Sequence, residues 1–309
     1  MRVVFMGTPE FAVPTLQALV KHHEVVAVVT QPDKRKGRGK AFQYTEVKEE
    51  ALKHDIPVYQ PVKVKDETMV EILTELNPDV IVVVAFGQLL PESILNLPKY
   101  GCINVHASLL PKYRGAAPIQ WAVINREEES GVTTMLMEKG LDTGDMLKSA
   151  KLTLDKKETG GSLHDKLSTL GADLLIETLK DVEAGNITPV KQDDSLSCYA
   201  KMLDKSLGNI NWSQKATEIE GLIRGLNPWP SAYTTFGNKT IKIWDADVVE
   251  ESGKGEAGEI YKVTKDAIFV QTGEGALALK EVQLEGKKRM SVSAFLLGNQ
   301  VKVSDCFGK

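Results

Sequence analysis

Residues 78–84 read Pro-Asp-Val-Ile-Val-Val-Val, and this run decides the fold class. Its consecutive β-branched residues predict a strand buried on both faces, as in the centre of a parallel sheet. Further strands are predicted at residues 3–6, 25–29, 101–107 and 132–137. Helical patterns lie between or after them, at residues 9–22, 118–126 and 162–183. This alternation predicts a doubly wound α/β domain with a mostly parallel, Rossmann-like sheet over residues 1–190.

The alternation of predicted strands and helices ends at residue 190. Residues 191–205 are polar and lack sustained periodicity, as expected of a linker. A short helical pattern over 216–225 follows. Five short strand-like runs come next, at residues 232–236, 240–244, 258–263, 267–271 and 276–282. Short strands separated by turn residues predict a small OB-like β-barrel as a second domain over residues 206–309.

Composition excludes several classes of protein. The chain has 309 residues, 42% of them hydrophobic, and a formal net charge of −4, which argues against a disordered chain and a broad non-specific nucleic-acid binder. Its three cysteines are too scattered for a disulfide framework or a zinc site. The first residues read as a strand and a turn rather than a signal peptide, and no apolar run is long enough to span a membrane. We therefore expect a cytoplasmic protein without membrane association or bound metal.

The most informative stretch is residues 101–118, Gly-Cys-Ile-Asn-Val-His-Ala-Ser-Leu-Leu-Pro-Lys-Tyr-Arg-Gly-Ala-Ala-Pro. Asn104 and His106 are two residues apart on a predicted strand, so their side chains leave the same face. On an interior strand each must find a partner or remain unpaired at a cost of about 1–3 kcal/mol. They also fall at the carboxyl end of the strand, where open α/β sheets bind ligands. The pair therefore predicts a functional site more strongly than a core position.

A histidine that assists chemistry needs a partner to fix its tautomer. Residues 141–145, Leu-Asp-Thr-Gly-Asp, follow a predicted strand and offer two carboxylates, Asp142 and Asp145. Spacing does not decide which of them reaches His106, and Asp142 taken alone is also typical of a turn before glycine.

Two basic clusters indicate a nucleic-acid ligand. Residues 34–40 hold five basic residues in seven, and residues 286–290 read Gly-Lys-Lys-Arg-Met within the predicted barrel. A solvated loop is the alternative interpretation of the first cluster. Basic loops together with an oligonucleotide-binding type of barrel favour contacts to a phosphate backbone.

At this point the chain resembles the 10-formyltetrahydrofolate-dependent formyltransferases. The resemblance is carried by Asn104-Val-His106 with the following Ser-Leu-Leu-Pro-Lys-Tyr-Arg-Gly-Ala-Ala-Pro, and by Leu141-Asp-Thr-Gly-Asp145. Further matching segments are residues 5–11, 30–33, 84–88, 224–230 and 242–244. The resemblance covers nearly the whole chain and leaves only residues 305–309 unmatched.

The resemblance implies transfer of a formyl group from 10-formyltetrahydrofolate to the α-amino group of methionine on initiator methionyl-tRNA, in translation initiation. It implies Asn104, His106 and Asp142 as the catalytic set, which favours Asp142 over Asp145. The residues matching the family's folate-contacting segments are Ser108, Leu109, Leu110, Pro111, Phe86, Gly87, Gln88 and Leu89. The tRNA contacts expected from the family's loop and from the basic barrel are Arg38, Lys40, Lys287, Lys288 and Arg289. The resemblance brings in no metal, and we expect a monomer.

The chemistry expected of these residues follows from the charge that develops on the formyl oxygen. We expect Asn104 to donate from its amide and His106 to stabilise the oxyanion and carry a proton. We expect Asp142 to orient the imidazole through a hydrogen bond to its other ring nitrogen.

Two alternatives stay open. In one, the fold and the folate co-substrate are kept and the acceptor is a small amine, such as an aminoacyl nucleotide or an amino sugar, which needs no basic barrel. In the other, the protein is a catalytically silent RNA-binding protein, which leaves Asn104 and His106 without a purpose. A nucleotide-dependent dehydrogenase is disfavoured because residues 7–11, after the first predicted strand, hold one glycine where a pyrophosphate-binding loop needs three. The glycine-rich string at 253–258 precedes a strand-like run rather than a helix.

Overall fold

The computed structural model describes residues 1–35, 42–251 and 253–308. The predicted tRNA contacts Arg38 and Lys40 lie outside the described residues. The chain divides into two compact units. The first comprises Met1–Gly115, Glu129–Thr153 and His164–Ala200. The second comprises Ala116–Glu128, Leu154–Leu163 and Lys201–Lys309. The units therefore interleave along the sequence, and the boundaries drawn at residues 190 and 206 stay a prediction.

Eleven described strands belong to the first unit. They are β1 (Arg2–Gly7), β2 (Glu24–Val29), β3 (Lys34–Arg35), β4 (Phe42–Gln43), β5 (Val58–Tyr59), β6 (Val80–Val84), β7 (Cys102–His106), β8 (Arg114–Gly115), β9 (Glu129–Leu136), β10 (Met146–Thr153) and β11 (Tyr199–Ala200). Seven of them form one sheet in the order β10-β9-β7-β6-β1-β2-β5. β3 pairs with β4, and β8 pairs with β11, as two small separate sheets.

The described helices of the chain are α1 (Val13–His22), α2 (Glu46–Lys53), α3 (Glu67–Leu76), α4 (Glu92–Leu95), α5 (Pro118–Ile124), α6 (Gly160–Ala184), α7 (Ala216–Gly225) and α8 (Val292–Gly298). The longest, α6, matches the amphipathic pattern predicted over 162–183. Its apolar positions Leu163, Leu167 and Leu179 have no solvent exposure, as a stripe of leucines at three- and four-residue spacing requires.

The large sheet confirms the predicted α/β class and explains the consecutive apolar residues within 78–84. All five residues of β6 are buried, because β6 lies between β1 and β7 and is parallel to both. The strands β1, β2, β5, β6 and β7 pair in parallel, whereas β9 runs antiparallel to β7 and to β10. The predicted strand at 132–137 is therefore the start of an antiparallel edge, which strand propensity alone does not reveal.

The second unit contains an antiparallel sheet. Its strands are β12 (Ala232–Phe236), β13 (Lys239–Val249), β14 (Ile260–Val263), β15 (Ile268–Gln271), β16 (Ala276–Leu284) and β17 (Met290–Ser291). The order is β12-β13-β16-β15-β14, with β17 paired to β16. Five of these strands confirm the predicted runs. β13 extends well beyond the predicted 240–244.

The segment 304–308 joins the two edge strands of this sheet. Phe307 pairs with Phe236 of β12, and Cys306 pairs with Glu259 beside β14. The backbone N–H of Phe307 donates to Gly258 O at 2.9 Å, and that of Gly308 donates to Thr235 O at 3.0 Å. The sheet is thereby closed by a segment that, from residue 305 onward, shows no resemblance to the formyltransferases. This closure is compatible with the predicted OB-like barrel.

Replacement of Phe307 by alanine tests this closure. The side chain is 2% exposed, stacks on Trp212 with ring centroids 5.7 Å apart and lies 5.2 Å from the Phe236 ring. Loss of such a buried ring costs about 3–5 kcal/mol. We expect denaturant-induced unfolding, followed by circular dichroism, to show the second unit unfolding at a clearly lower denaturant concentration.

The matched control is Leu297→Ala, because Leu297 is 92% exposed. This control should change the free energy of unfolding by less than about 0.5 kcal/mol. Equal midpoints for Phe307→Ala and the wild type would show that the segment does not hold the sheet closed.

Candidate active site

Asn104 and His106 lie at the carboxyl end of β7 with their side chains on one face of the sheet. They are opposite Met135 and Thr133 of β9, and only 9% and 6% of their surfaces are exposed. Among the described residues, none hydrogen-bonds the Asn104 carboxamide, and its polar atoms are not sealed from solvent. The amide is therefore available to a ligand.

The His106 ring is held by a backbone carbonyl. Its Nε2 lies 2.9 Å from Tyr113 O. A carbonyl oxygen only accepts, so Nε2 carries the proton in this hydrogen bond. The other ring nitrogen, Nδ1, faces Asp142 Oδ2 at 3.7 Å. This separation is longer than a hydrogen bond, so the expected direct bond from Asp142 to the ring is not formed, and Tyr113 orients the imidazole instead.

Asp142 lies in the loop that joins β9 to β10. Its backbone is left-handed, with φ at 54°, a conformation that aspartate adopts more readily than most residues. Its Oδ2 accepts the Gly115 N–H at 2.8 Å. Asp145 lies at the mouth of the same hairpin, where its carbonyl accepts the Leu136 N–H at 2.9 Å. The structure thus brings Asp142 to the histidine, the residue that the resemblance favours.

The predicted folate segment Ser108–Pro111 leaves β7 directly after the histidine. The Ser108 hydroxyl donates to Lys112 O at 2.6 Å, so it is used in the turn itself. Thr133 of β9 holds the segment: its hydroxyl donates to Ser108 O at 2.7 Å and accepts the Leu110 N–H at 3.1 Å. The segment is therefore a fixed turn beside Asn104 and His106.

The second predicted folate segment, residues 86–89, leaves the neighbouring strand β6. Phe86 is buried, and its carbonyl accepts from Thr8 Oγ1 at 3.0 Å and from Gln31 Nε2 at 3.1 Å. Gly87 has φ at 85°, where a side chain would be strained, and Leu89 is 73% exposed. Because β6 and β7 are parallel neighbours, both predicted folate segments begin at the same edge of the sheet.

Gln88 is a structural residue in this arrangement. Its carboxamide accepts the Val64 N–H at 2.7 Å and donates to Pro61 O at 3.2 Å. These two bonds fasten the segment after β6 to the loop before α3. The Gln88 side chain therefore holds this loop, and its contact with folate stays a prediction.

The predicted tRNA contacts in the second unit lie in the turn between β16 and β17. Lys287 and Lys288 are exposed. Arg289 differs from them, because its guanidinium pairs with the Glu281 carboxylate and lies 4.7 Å from the centre of the Trp244 ring. Part of its charge is thereby compensated within the protein.

Residues 1–35, 42–251 and 253–308 contain neither a candidate membrane-spanning helix nor a cluster of candidate metal ligands. No helix there has the length and apolar character needed to cross a membrane. No group of three or more His, Cys, Asp or Glu side chains there is arranged to hold a metal ion.

Sequence comparison assigns the chain to a class. Residues 1–179 match the family model described as formyl transferase, and residues 202–300 match the model of the formyl transferase C-terminal domain. The chain belongs to the formyl transferase family, and it is therefore a group-transfer enzyme.

Comparison with individual relatives indicates a narrower group within the formyl transferase family. The chain is 58% identical to a methionyl-tRNA formyltransferase from Lachnospira eligens, with 100% of each protein covered. It is 57% identical to a methionyl-tRNA formyltransferase from Agathobacter rectalis, with 99% of each covered. Among solved structures, the N-formyltransferase from Helicobacter canadensis in complex with folinic acid and dTDP-3-aminofucose has a TM-score of 0.66 and 19% identity, covering 90% of this chain and 98% of that one. This last likeness shows the shared fold.

Thiol reactivity tests the burial of the strand that carries Asn104 and His106. Burial of Cys102, the first residue of β7, raises the pKa of its thiol to about 12. At pH 8 this thiol stays protonated, and the protonated form does not react with alkylating reagents. We expect iodoacetamide at pH 8 to modify the exposed Cys198 and to leave Cys102 unmodified, as measured by peptide mass spectrometry.

The control is the same reaction in denaturant, where all three cysteines should be modified. Labelling of native Cys102 as fast as Cys198 would show that β7 is not buried as described.

Proposed function

We propose that this chain transfers the formyl group of 10-formyltetrahydrofolate to the α-amino group of methionine on initiator methionyl-tRNA, in translation initiation. The observation that carries the proposal is the convergence of a free carboxamide, an imidazole and a carboxylate at the carboxyl edge of the sheet. Full-length relatives at 57–58% identity, both named methionyl-tRNA formyltransferase, support the choice of acceptor.

The geometry supports the following catalytic roles. When the amine attacks the formyl carbon, a carbon–nitrogen bond forms and negative charge develops on the formyl oxygen. Asn104 donates an amide N–H to this oxygen, an interaction of a kind that contributes about 3–4 kcal/mol. As the tetrahedral centre collapses, the bond from the formyl carbon to the folate N10 breaks, the amine loses a proton and N10 gains one.

His106 is the group that moves this proton. Its Nε2 is occupied by Tyr113 O at 2.9 Å, which leaves Nδ1 to accept and return the proton. Once Nδ1 is protonated, the ring is positive and faces Asp142 Oδ2 at 3.7 Å, so the carboxylate compensates the new charge. Asp142 is itself fixed by the Gly115 N–H, and its orientation does not depend on substrate.

The co-substrate fits the edge between β6 and β7. Residues 86–89 and 108–111 leave these parallel strands side by side, and both begin with backbone held by side-chain hydrogen bonds. The side chains of Leu89 and Leu109 provide apolar surface for the pterin ring of the folate. The formyl group of the folate then lies beside Asn104 and His106. Folinic acid, a formylated folate, is bound in the Helicobacter canadensis relative of the same fold.

An amino sugar is the second candidate acceptor, because that same relative was solved with dTDP-3-aminofucose. The identity of 19% to that protein, against 58% to a methionyl-tRNA formyltransferase over the full chain, favours tRNA. The exposed lysines Lys287 and Lys288 favour an acceptor with a phosphate backbone.

We further propose that the protein works in the cytoplasm and as a monomer.

One assay tests the proposed reaction directly. The protein is incubated with 10-formyltetrahydrofolate and either initiator or elongator methionyl-tRNA, and N-formylmethionine is measured after deacylation. Formylation of the initiator species supports the proposal. No product from either tRNA, with product from an amino sugar nucleotide, would assign the protein to the second candidate.

Removal of the imidazole tests the role of His106. In His106→Ala the proton acceptor is lost while the folate segments keep their backbone contacts. We expect kcat to fall about 10²- to 10⁴-fold, with KM for methionyl-tRNA nearly unchanged. Exposed His22 supplies the control, since His22→Ala should keep the wild-type kcat. A loss confined to tRNA affinity would remove His106 from the chemistry.

Salt dependence tests the acceptor. Each phosphate contact contributes about 0.7–0.9 to the slope of log affinity against log salt. In the double variant Lys287→Ala/Lys288→Ala, we expect a slope shallower by about 1.4–1.8, measured by fluorescence anisotropy with labelled tRNA. The control Lys265→Ala/Lys302→Ala removes two exposed charges from the same unit and should keep the wild-type slope. Equal slopes for both variants would place the tRNA contacts elsewhere.

A further inference from the structure

The segment between α6 and β11 is tightly attached to the active site, although its sequence predicts a linker. Gln192 lies within it and is only 5% exposed. Its Nε2 donates to Asp142 O at 2.9 Å and to Gly144 O at 2.7 Å. Both N–H groups of one carboxamide are therefore used on the loop that carries the catalytic carboxylate.

The other end of the same carboxamide holds the opposite side of the site. Gln192 Oε1 accepts from Arg114 Nε at 3.0 Å. Arg114 is the first residue of β8, directly between Tyr113, whose carbonyl binds His106, and Gly115, whose N–H binds Asp142. Gln192 thus joins the loop of Asp142 to residues 113–115, whose backbone supplies a partner to each of the two catalytic side chains.

Residues 198–200 strengthen this attachment through the backbone. Arg114 N donates to Cys198 O at 3.0 Å, and Tyr113 N donates to Cys198 Sγ at 3.2 Å. β11 then pairs in parallel with β8, with Tyr199 opposite Arg114. These contacts fix β8 along its length. The Asp142 loop is attached to β8 by the Gly115 N–H, which binds the Asp142 carboxylate, and by Gln192, which binds the backbone carbonyls of Asp142 and Gly144.

We infer that Gln192 is a positioning residue for formyl transfer, which sets the distance between Asp142 and His106 by clamping residues 142–144 to Arg114; this inference rests on the proposed function. The backbone of Asp142 is left-handed, with φ at 54°, and the Gln192 bonds to the carbonyls of Asp142 and Gly144 help to hold it there; without them the loop is free to shift. The Asp142 carboxylate would then turn away from Nδ1.

Only a carboxamide of this length satisfies all the partners. The two loop carbonyls need donors, whereas the Arg114 guanidinium needs an acceptor. Glutamate in place of Gln192 keeps the acceptor but sets a carboxylate oxygen against the carbonyls of Asp142 and Gly144. Methionine keeps the volume and removes donors and acceptor together.

The test uses both substitutions in the full chain. For Gln192→Glu and Gln192→Met, we expect kcat for N-formylmethionyl-tRNA formation to fall about 10- to 100-fold, because small displacements of reacting groups have effects of this size. KM for the folate and for the tRNA should stay within about 2-fold of the wild type, since Gln192 is buried and its carboxamide is bonded within the protein. The pH profile of kcat should change in shape, because the charge facing His106 has moved.

Ser195→Ala is the control on the same segment. Ser195 is exposed, and its hydroxyl donates to Asp193 Oδ1 at 2.7 Å. This variant should keep the wild-type kcat and pH profile. If Gln192→Glu equals the wild type and only Gln192→Met is slow, the Arg114 contact matters and the clamp on the loop is refuted. An unchanged pH profile, with activity falling only in step with the folded fraction, would also refute the clamp.

A measurement without turnover separates this inference from the proposed function. The ¹⁵N chemical shifts of the His106 ring nitrogens, assigned with His106→Ala, report on the surroundings of Nδ1 at a fixed pH. We expect both Gln192 variants to change the Nδ1 shift and Ser195→Ala to leave it unchanged. Identical shifts in all proteins would overturn the inference. A wild type that forms no N-formylmethionine but shows the expected shifts would overturn the proposed function alone.

Discussion

The hydrogen bond from His106 Nε2 to the Tyr113 carbonyl is the interaction on which the rest of the site depends. A histidine at the end of a buried strand must find a partner for its ring, and this partner lies seven residues further along the chain. The chain after β7 is therefore forced to turn back within residues 108–112, where Thr133 of the neighbouring strand pins it. The same return places Gly115 N–H against Asp142, so one backbone turn supplies the partners of both catalytic side chains.

The antiparallel edge of the large sheet is the second requirement. β9 runs antiparallel to β7 with Leu136 opposite Ile103, so β9 ends beside the start of β7. Residues 137–145, which join β9 to β10, therefore leave the sheet beside the amino end of β7, where the Met137 N–H donates to Cys102 O at 2.8 Å. The loop nevertheless brings the Asp142 carboxylate to 3.7 Å from His106 Nδ1, at the other end of β7. The left-handed backbone of Asp142 is tolerated there because Gln192 and Gly115 fix the residue from both sides.

Much of this arrangement can be predicted from the sequence, and the part that cannot be predicted has one physical cause. The strand β6, the helix α7 and the shared face of Asn104 and His106 follow from local periodicity, which each stretch of sequence carries by itself. The hydrogen-bonding partners of the catalytic groups do not follow from local periodicity. Gly115 is 27 residues from Asp142, and Gln192 is 50 residues from it. A backbone N–H or carbonyl also has no signature among the residue types, so Tyr113 and Gly115 give no sign of their role.

The sequence by itself determined the α/β class, the second domain of short strands and, through the resemblance to formyltransferases, the set Asn104, His106 and Asp142. Only the tertiary structure decided three further features: the direction of β9, the closure of the second sheet by residues 304–308, and the position of Gln192 beside the Asp142 loop. The reason is that hydrophobic periodicity reports which face of an element is buried. It does not report which distant element covers that face or in which direction the element runs.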